Sequence, residues 1–254
     1  MNLIDTHAHL DSVKDIEGAM QRANDAGVST IVAVGENRQA NQKNIELSQQ
    51  FQQPRIVVAL GIHPGNIESD QIDIECDFIQ EHIHEAQAIG EIGLDFWYKW
   101  VRKDTQKKDE QRQVYRRLLQ IAHDHHLPAL IHTRGTWREA FEITREMEIQ
   151  HAVFHWYSGP LDVLEDILAQ GYFVSAAPSI AYSPEARSAM EVAPVEQTLI
   201  ETDSPVYYKN CDGGLAAEPK DVFCTLKHYA LLKQRDAQDL AHILNKNAEK
   251  IFGL

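Results

Sequence analysis

The chain has 254 residues, of which 43% are hydrophobic and 24% charged, and its formal net charge is −14. Those values belong to a folded protein with a sizeable core and exclude an intrinsically disordered chain. The acidic balance argues against a protein that coats duplex nucleic acid by bulk charge, yet leaves room for one that grips a nucleic-acid end locally.

Short, nearly all-apolar runs alternate with longer amphipathic stretches along the chain. Leu3–Asp5 reads as a strand, and Asp15–Ala26 as a helix ended by Gly27. Strands follow at Thr30–Val34, Ile56–Leu60 and Ala88–Ile92. The next helix, Asp109–His126, puts Val114, Leu118, Ile121 and Ala122 on one face before Leu127-Pro128 stops it. Ala129–His132 and Ala152–His155 are the next strands, and Pro160–Gln170 is a helix ended by Gly171. Phe173–Ala176 and Leu199–Thr202 complete the strands, and helices near Pro219–Lys233 and Ala237–Phe252 complete the chain. Brief apolar runs of this kind suit strands buried on both faces. Eight βα units in about 250 residues predict an α/β fold, a (β/α)8 TIM barrel, as one domain over residues 1–254. A doubly wound sheet is the alternative, but neither GxGxxG nor GxxxxGK[ST] occurs to make its nucleotide turn.

No stretch approaches the roughly 18 apolar residues of a membrane span. The opening Met1-Asn2-Leu3-Ile4-Asp5 has neither the basic nor the apolar region of a secretory leader, so a cytoplasmic protein is expected. Cys76, Cys211 and Cys224 show no CxxC spacing and suit reduced thiols.

Functional side chains of such a barrel sit at the C-terminal ends of its strands. There the sequence places His7 and His9, His63, Glu91 and Asp95, His132, His155, and Glu201 with Asp203. Histidines and carboxylates from several strands thus converge on one mouth, a metal environment of imidazole and carboxylate without thiolate. His7 and His9 are two apart and face one way on an extended strand. Glu91 is placed to bridge a pair of ions about 3.5–4 Å apart, which would acidify water and clamp an oxyanion. By contrast, His82, His84, His123, His125 and His126 fall on helices and read as surface residues.

Taken in order, the blocks Asp5-Thr6-His7-Ala8-His9-Leu10-Asp11, Gly61-Ile62-His63-Pro64, Gly90-Glu91-Ile92-Gly93-Leu94-Asp95, His132-Thr133-Arg134, His155 with Ser158-Gly159, and Glu201-Thr202-Asp203-Ser204-Pro205 carry a resemblance. From residue 3 to about residue 252 the chain resembles the TatD family of metal-dependent deoxyribonucleases, within the amidohydrolase superfamily. The resemblance implies two divalent ions (Mg, Mn or Zn) held by His7, His9, Glu91, His132, His155 and Asp203. It also implies hydrolysis of DNA as a 3′-to-5′ exonuclease. Several positions depart from the family pattern: Trp156-Tyr157 before the Ser-Gly, Thr133-Arg134 after the strand-five histidine, Gly135 for an acidic residue, and Ala217-Glu218-Pro219 for Asn-Glu-Pro. All of these are expected on the substrate side, Glu218 included.

The remaining assignments concern substrate. Trp97, Trp100, Trp137 and Trp156 all follow strands on the mouth side, and Tyr98–Arg117 carries eight basic against three acidic residues. Aromatics interleaved with bases suit a single strand, which offers stacking faces and a phosphate track. Trp97 and Lys99 are assigned to that lip, whereas Arg112–Arg117 reads as a solvated helix face. His63 is assigned to substrate phosphate or to the leaving group, Arg134 to a phosphate, and Glu201 to orienting a ligand. Asp203 is expected to serve as both ligand and general base, with Glu91 and His63 beside it in catalysis. The expected partner is DNA, single-stranded or at 3′ ends, with no membrane and no obligate protein partner. An amidohydrolase acting on a small cyclic amide, lactone or aminoacyl ester is the alternative, since the same ions serve that chemistry.

Overall fold

Hydrophobic alternation inside each apolar run decides the architecture. In the computed structural model, which describes residues 1–208 and 216–254, the strands are β1 (Leu3–Ala8), β2 (Val28–Val34), β3 (Arg55–Leu60), β4 (Ala88–Asp95), β5 (Ala129–Arg134), β6 (Ala152–Phe154), β7 (Phe173–Ala176) and β8 (Thr198–Ile200). Every neighbouring pair is parallel and the order around the sheet is sequential, which is a (β/α)8 barrel and excludes the doubly wound alternative. Ile4, Val32, Val34, Val57, Ala59, Leu130, Val153 and Leu199 point inward, while Leu3, Ile31, Ile56, Val58 and Ile131 pack outward under the helices. Ala248, Ile251 and Phe252 join the inner set, so the last helix stoppers the end of the barrel where the strands begin.

The barrel closes at its other end. Ala8 and Ser204 form a parallel bridge, with Asp203 N donating to His7 O at 2.9 Å and His9 N to Ser204 O at 2.8 Å. This seam is therefore knitted by the residues that carry the first and last candidate ligands.

The helices are α1 (Ile16–Ala26), α2 (Arg38–Gln50), α3 (Ile72–Glu81), α4 (Thr105–Asp124), α5 (Trp137–Glu146), α6 (Leu161–Ala169), α7 (Pro184–Val192), α8 (Val222–Lys233) and α9 (Ala237–Phe252). Four of them, α2, α3, α5 and α7, are additional to the helices expected from the sequence. In α2 the buried face is partly amide: Asn41 exchanges hydrogen bonds with Gly61 at 2.9 and 3.0 Å, and Asn44 donates to Val34 O at 3.0 Å. Helix α4 begins four residues before the expected Asp109, because Asp104 caps it by accepting from Lys107 N at 3.1 Å. Strands β6 and β8 end before His155 and Glu201, whose backbone N–H groups still donate to Ile131 O at 3.1 Å and Ala176 O at 3.0 Å. Cys211 lies outside the described residues; Cys76 is a buried free thiol.

One glycine is indispensable to the site. Gly93 pairs with His132 in the β4–β5 ladder at φ +150°, and a Cβ there would fall on the His132 carbonyl. Gly93→Ala is expected to cost at least about 1–3 kcal/mol in thermal or urea unfolding, from the disfavoured conformation alone, and to weaken metal binding by shifting His132. An unchanged melting curve with unchanged metal content would contradict this.

Candidate active site

Five histidines and two carboxylates meet at the strand ends. Glu91, almost wholly buried on β4, divides them. Its Oε2 lies 3.4 Å from Nε2 of both His7 and His9, whose Nε2 atoms are also 3.5 and 3.1 Å from Asp203 Oδ1. Its Oε1 lies 2.7 Å from His132 Nδ1 and 2.8 Å from His155 Nε2, with His63 Nε2 at 3.8 Å. The two oxygens of one carboxylate thus serve two separate nests, each with two imidazoles. Stacking of the His7 and His155 rings, centroids 4.0 Å apart, sets the nests side by side.

A second layer orients these donors. His132 presents its Nε2 to Asp95 Oδ2 at 3.1 Å, and Arg134 reaches the same oxygen at 2.8 Å. His155 directs Nδ1 to Glu201 Oε1 at 3.3 Å, and Glu201 in turn accepts from Ser175 Oγ. Holding the outer nitrogen of each ring fixes which nitrogen faces the centre. Asp5, buried between β1 and β8, accepts from Thr202 N at 2.9 Å and Thr202 Oγ1 at 2.6 Å, tying the Asp203 segment to the His7 strand. Asp203 itself has φ +52°. Non-glycine residues seldom adopt that conformation, and here the seam imposes it.

Burial would favour neutral groups, but mutual attraction overrides it. Glu91 is held well below the ordinary carboxylate range against its burial, by His155, His63, His7 and the His132 hydrogen bond. Burial opposes charge on His9 too, yet Asp203, Glu91 and Glu36 push it up to about 9. His63 goes the other way: burial pushes it down to about 3. Its Nδ1 accepts from Gly65 N at 2.9 Å, so a neutral ring presents Nε2–H to the cavity.

The arrangement fits divalent ions. Neither nitrogen of His7, nor Nδ1 of His9, hydrogen-bonds any partner among the described residues, although all three are buried. Orphaned buried imidazole nitrogens next to buried carboxylates are costly, and a cation relieves both. The described residues offer three overlapping triads at this centre: His7–His9–Asp203, His63–Glu91–His132 and His9–Glu36–Glu91. A further set, His7–His155–Glu201, lies just beneath. All the donors are nitrogen or oxygen, which suits Mg, Mn or Zn.

Above the centre opens a cavity of about 680 Å³, lined among others by His9, His63, Glu91, His132, Arg134, His155 and Asp203. Trp97, Trp137 and Trp156 line it as well, whereas Trp100 instead stacks on Tyr98 at 4.4 Å and Tyr98 lies under Arg134 at 4.8 Å. Lys99 is exposed on the loop and does not line the cavity. Glu218 is elsewhere: both its oxygens take Arg22 at 2.8 Å, and it caps the turn at Asp221. Its carboxylate joins α1 to the turn before α8. Arg112, Arg116 and Arg117 pair with Glu139, Glu146 and Asp73 on neighbouring helices, so the basic face of α4 knits helices together. Glu36 lines the cavity but was not among the residues singled out from sequence. It stands two residues past β2, where the strand-end rule that selected the other residues also applies.

Comparison with known proteins points to one family. A family model described as TatD related DNase matches residues 4–253. A human protein named deoxyribonuclease TATDN3 is 28% identical over 99% of this chain and 95% of its own. An uncharacterized metal-dependent hydrolase of Bacillus subtilis, YabD, is 29% identical over 98% of both chains. The crystal structure of YjjV, a TatD homolog from Escherichia coli, superposes with a TM-score of 0.89 at 24% identity, over 99% of this chain and 98% of that one.

Proposed function

The chain belongs to the TatD-related DNase family, whose relatives include metal-dependent hydrolases, and from that premise we propose that it cleaves phosphodiester bonds of DNA with two divalent ions. The observation that carries this reading is the divided carboxylate of Glu91, with one oxygen toward His7 and His9 and the other toward His132 and His155. Asp203 completes the first nest. Ions held in these nests supply Lewis acidity toward a phosphoryl oxygen and toward water. Asp203, which borders the cavity, takes the proton of the attacking water. His63, neutral and with Nε2–H turned inward, donates to a phosphate oxygen, which suits it better than protonating a leaving group. Arg134, fixed through Asp95 and Tyr98, neutralises a phosphate with its remaining N–H groups. A 3′-to-5′ direction on a single strand follows from the family resemblance, and a walled cavity suits a strand end. No helix among the described residues is long and apolar enough to cross a membrane. The buried free thiol of Cys76 suits a cytoplasmic setting.

The lip tests the substrate class. Trp97 and Trp100 are 63% and 58% exposed and flank Lys99, so bases can stack there while Lys99, Arg102 and Lys103 follow phosphates. Replacing both tryptophans with Ala is expected to cost about 1–3 kcal/mol per stacked base in binding single-stranded DNA. Hydrolysis of a small alkyl phosphodiester, which has no ring to stack on Trp97 and does not span the lip, should keep its rate. Equal loss on both substrates would reduce the tryptophans to supports of the barrel rim. No loss on either would favour the small-molecule amidohydrolase.

A further inference from the structure

The cavity wall facing the metal ligands is built from three indoles, each seated by its backbone. A Cβ on Gly159 would lie 2.6 Å from Trp137 Cγ, and one on Gly135 would fall on Trp97 Nε1. Trp156 takes φ +43°, donates its backbone N–H to Ser175 Oγ at 3.0 Å, and rests its ring 5.5 Å from Tyr208. Such a wall is preorganised, so a flat ligand entering it orders little protein.

Trp137 Nε1 is buried without a hydrogen-bond partner among the described residues, and so is Thr133 Oγ1, which lines the same cavity. An indole N–H can only donate, so the missing partner is an acceptor. Arg138, beside Trp137 in sequence, is held by Asp162 and Asp166 and brings no phosphate to this wall, while Arg134, whose contact with Asp95 leaves it other N–H groups, marks where the phosphate beside the base would lie. Glu185, an exposed residue at the cavity edge whose Oε2 takes Ser183 Oγ at 3.0 Å, adds negative charge and an acceptor there. Flat apolar faces, one fixed donor and a nearby acceptor describe a heteroaromatic ring with polar edges.

We propose that this cavity is a nucleobase pocket, in which the terminal base of the strand lies among Trp97, Trp137 and Trp156 and accepts a hydrogen bond from Trp137 Nε1. The proposal rests on the reading that the substrate is a DNA strand. All four bases carry ring-nitrogen or carbonyl acceptors, so the contact registers that a base is present rather than which one.

Two fluorescent single strands with a non-hydrolysable terminal linkage test it, one ending in a base and one in the same sugar without a base. Bound to the full-length, metal-loaded protein and followed by anisotropy, the base-bearing strand is expected to bind about tenfold more tightly. Trp137→Phe keeps the ring and removes the donor. It should weaken the base-bearing strand about fivefold and leave the baseless strand as it was. Thr133→Val, nearly isosteric, should show the same selectivity and serves if Trp137→Phe folds poorly. Equal weakening of both strands would assign the N–H to the backbone and overturn the proposal. Equal affinity of the wild type for both strands would overturn it too. A wild type that cleaves no ordinary strand would remove the reading beneath it, and the proposal with it.

Discussion

Asp203→Asn is expected to lower turnover by a factor on the order of 10²–10⁴ while keeping at least part of the bound metal. The amide oxygen can still face the first nest, but the side chain no longer accepts a proton. Asparagine also tolerates the left-handed backbone that residue 203 adopts at φ +52°, so the seam should survive the change. Loss of the carboxylate removes the partner 3.1 Å from His9 Nε2, and His9 should fall back toward its ordinary range. Metal content by elemental analysis, combined with single-turnover cleavage of an end-labelled oligonucleotide, separates the two effects. Near-normal turnover would place the base elsewhere, with Glu201, His63 and Glu36 the groups at hand.

Glu91→Gln should be still more damaging, because one charge serves both nests. An amide turns an N–H₂ toward one pair of imidazoles and its oxygen toward the other, so one nest meets a donor where it needs an acceptor. Bound divalent ion is expected to fall from about two per chain to one or fewer, with turnover down by on the order of 10³. Stability supplies a second readout. Metal at 100 times its dissociation constant should stabilise the wild type by about 2.7 kcal/mol per site, and most of that gain should vanish in the variant. A variant that keeps two ions and a full metal-induced rise in Tm would refute the bridging role.

Strand positions were legible in the sequence because doubly buried parallel strands leave continuous apolar runs, and Thr30–Val34 or Phe173–Ala176 could be little else. The convergence of His7, His9, Glu91, His132, His155 and Asp203 was legible for a related reason. Once eight strands are counted, their ends must share one mouth. Helix α2 was not, since its buried face uses Asn41 and Asn44 where periodicity looks for leucine. The pairing of Glu218 with Arg22 was not legible either, since the two lie almost 200 residues apart in sequence. The orphaned N–H of Trp137 is equally invisible in one dimension, because a missing partner is a property of the packed cavity.

The seam between β1 and β8 also sets an order of events during synthesis. His7 and His9 leave the ribosome nearly 200 residues before Asp203, yet their nest exists only once the two strands are bridged at Ala8 and Ser204. Until then the early histidines face no carboxylate from the eighth strand, and a nascent chain has half a chelator at best. Asn245 then clips the chain start, accepting from Ile4 N at 3.2 Å and donating to Asn2 O at 2.9 Å, just before the residues of α9 that stopper the barrel. Tight ion capture in that nest would therefore be a late event that reports a completed ring, and it would add its binding energy to the longest-range contacts in the chain.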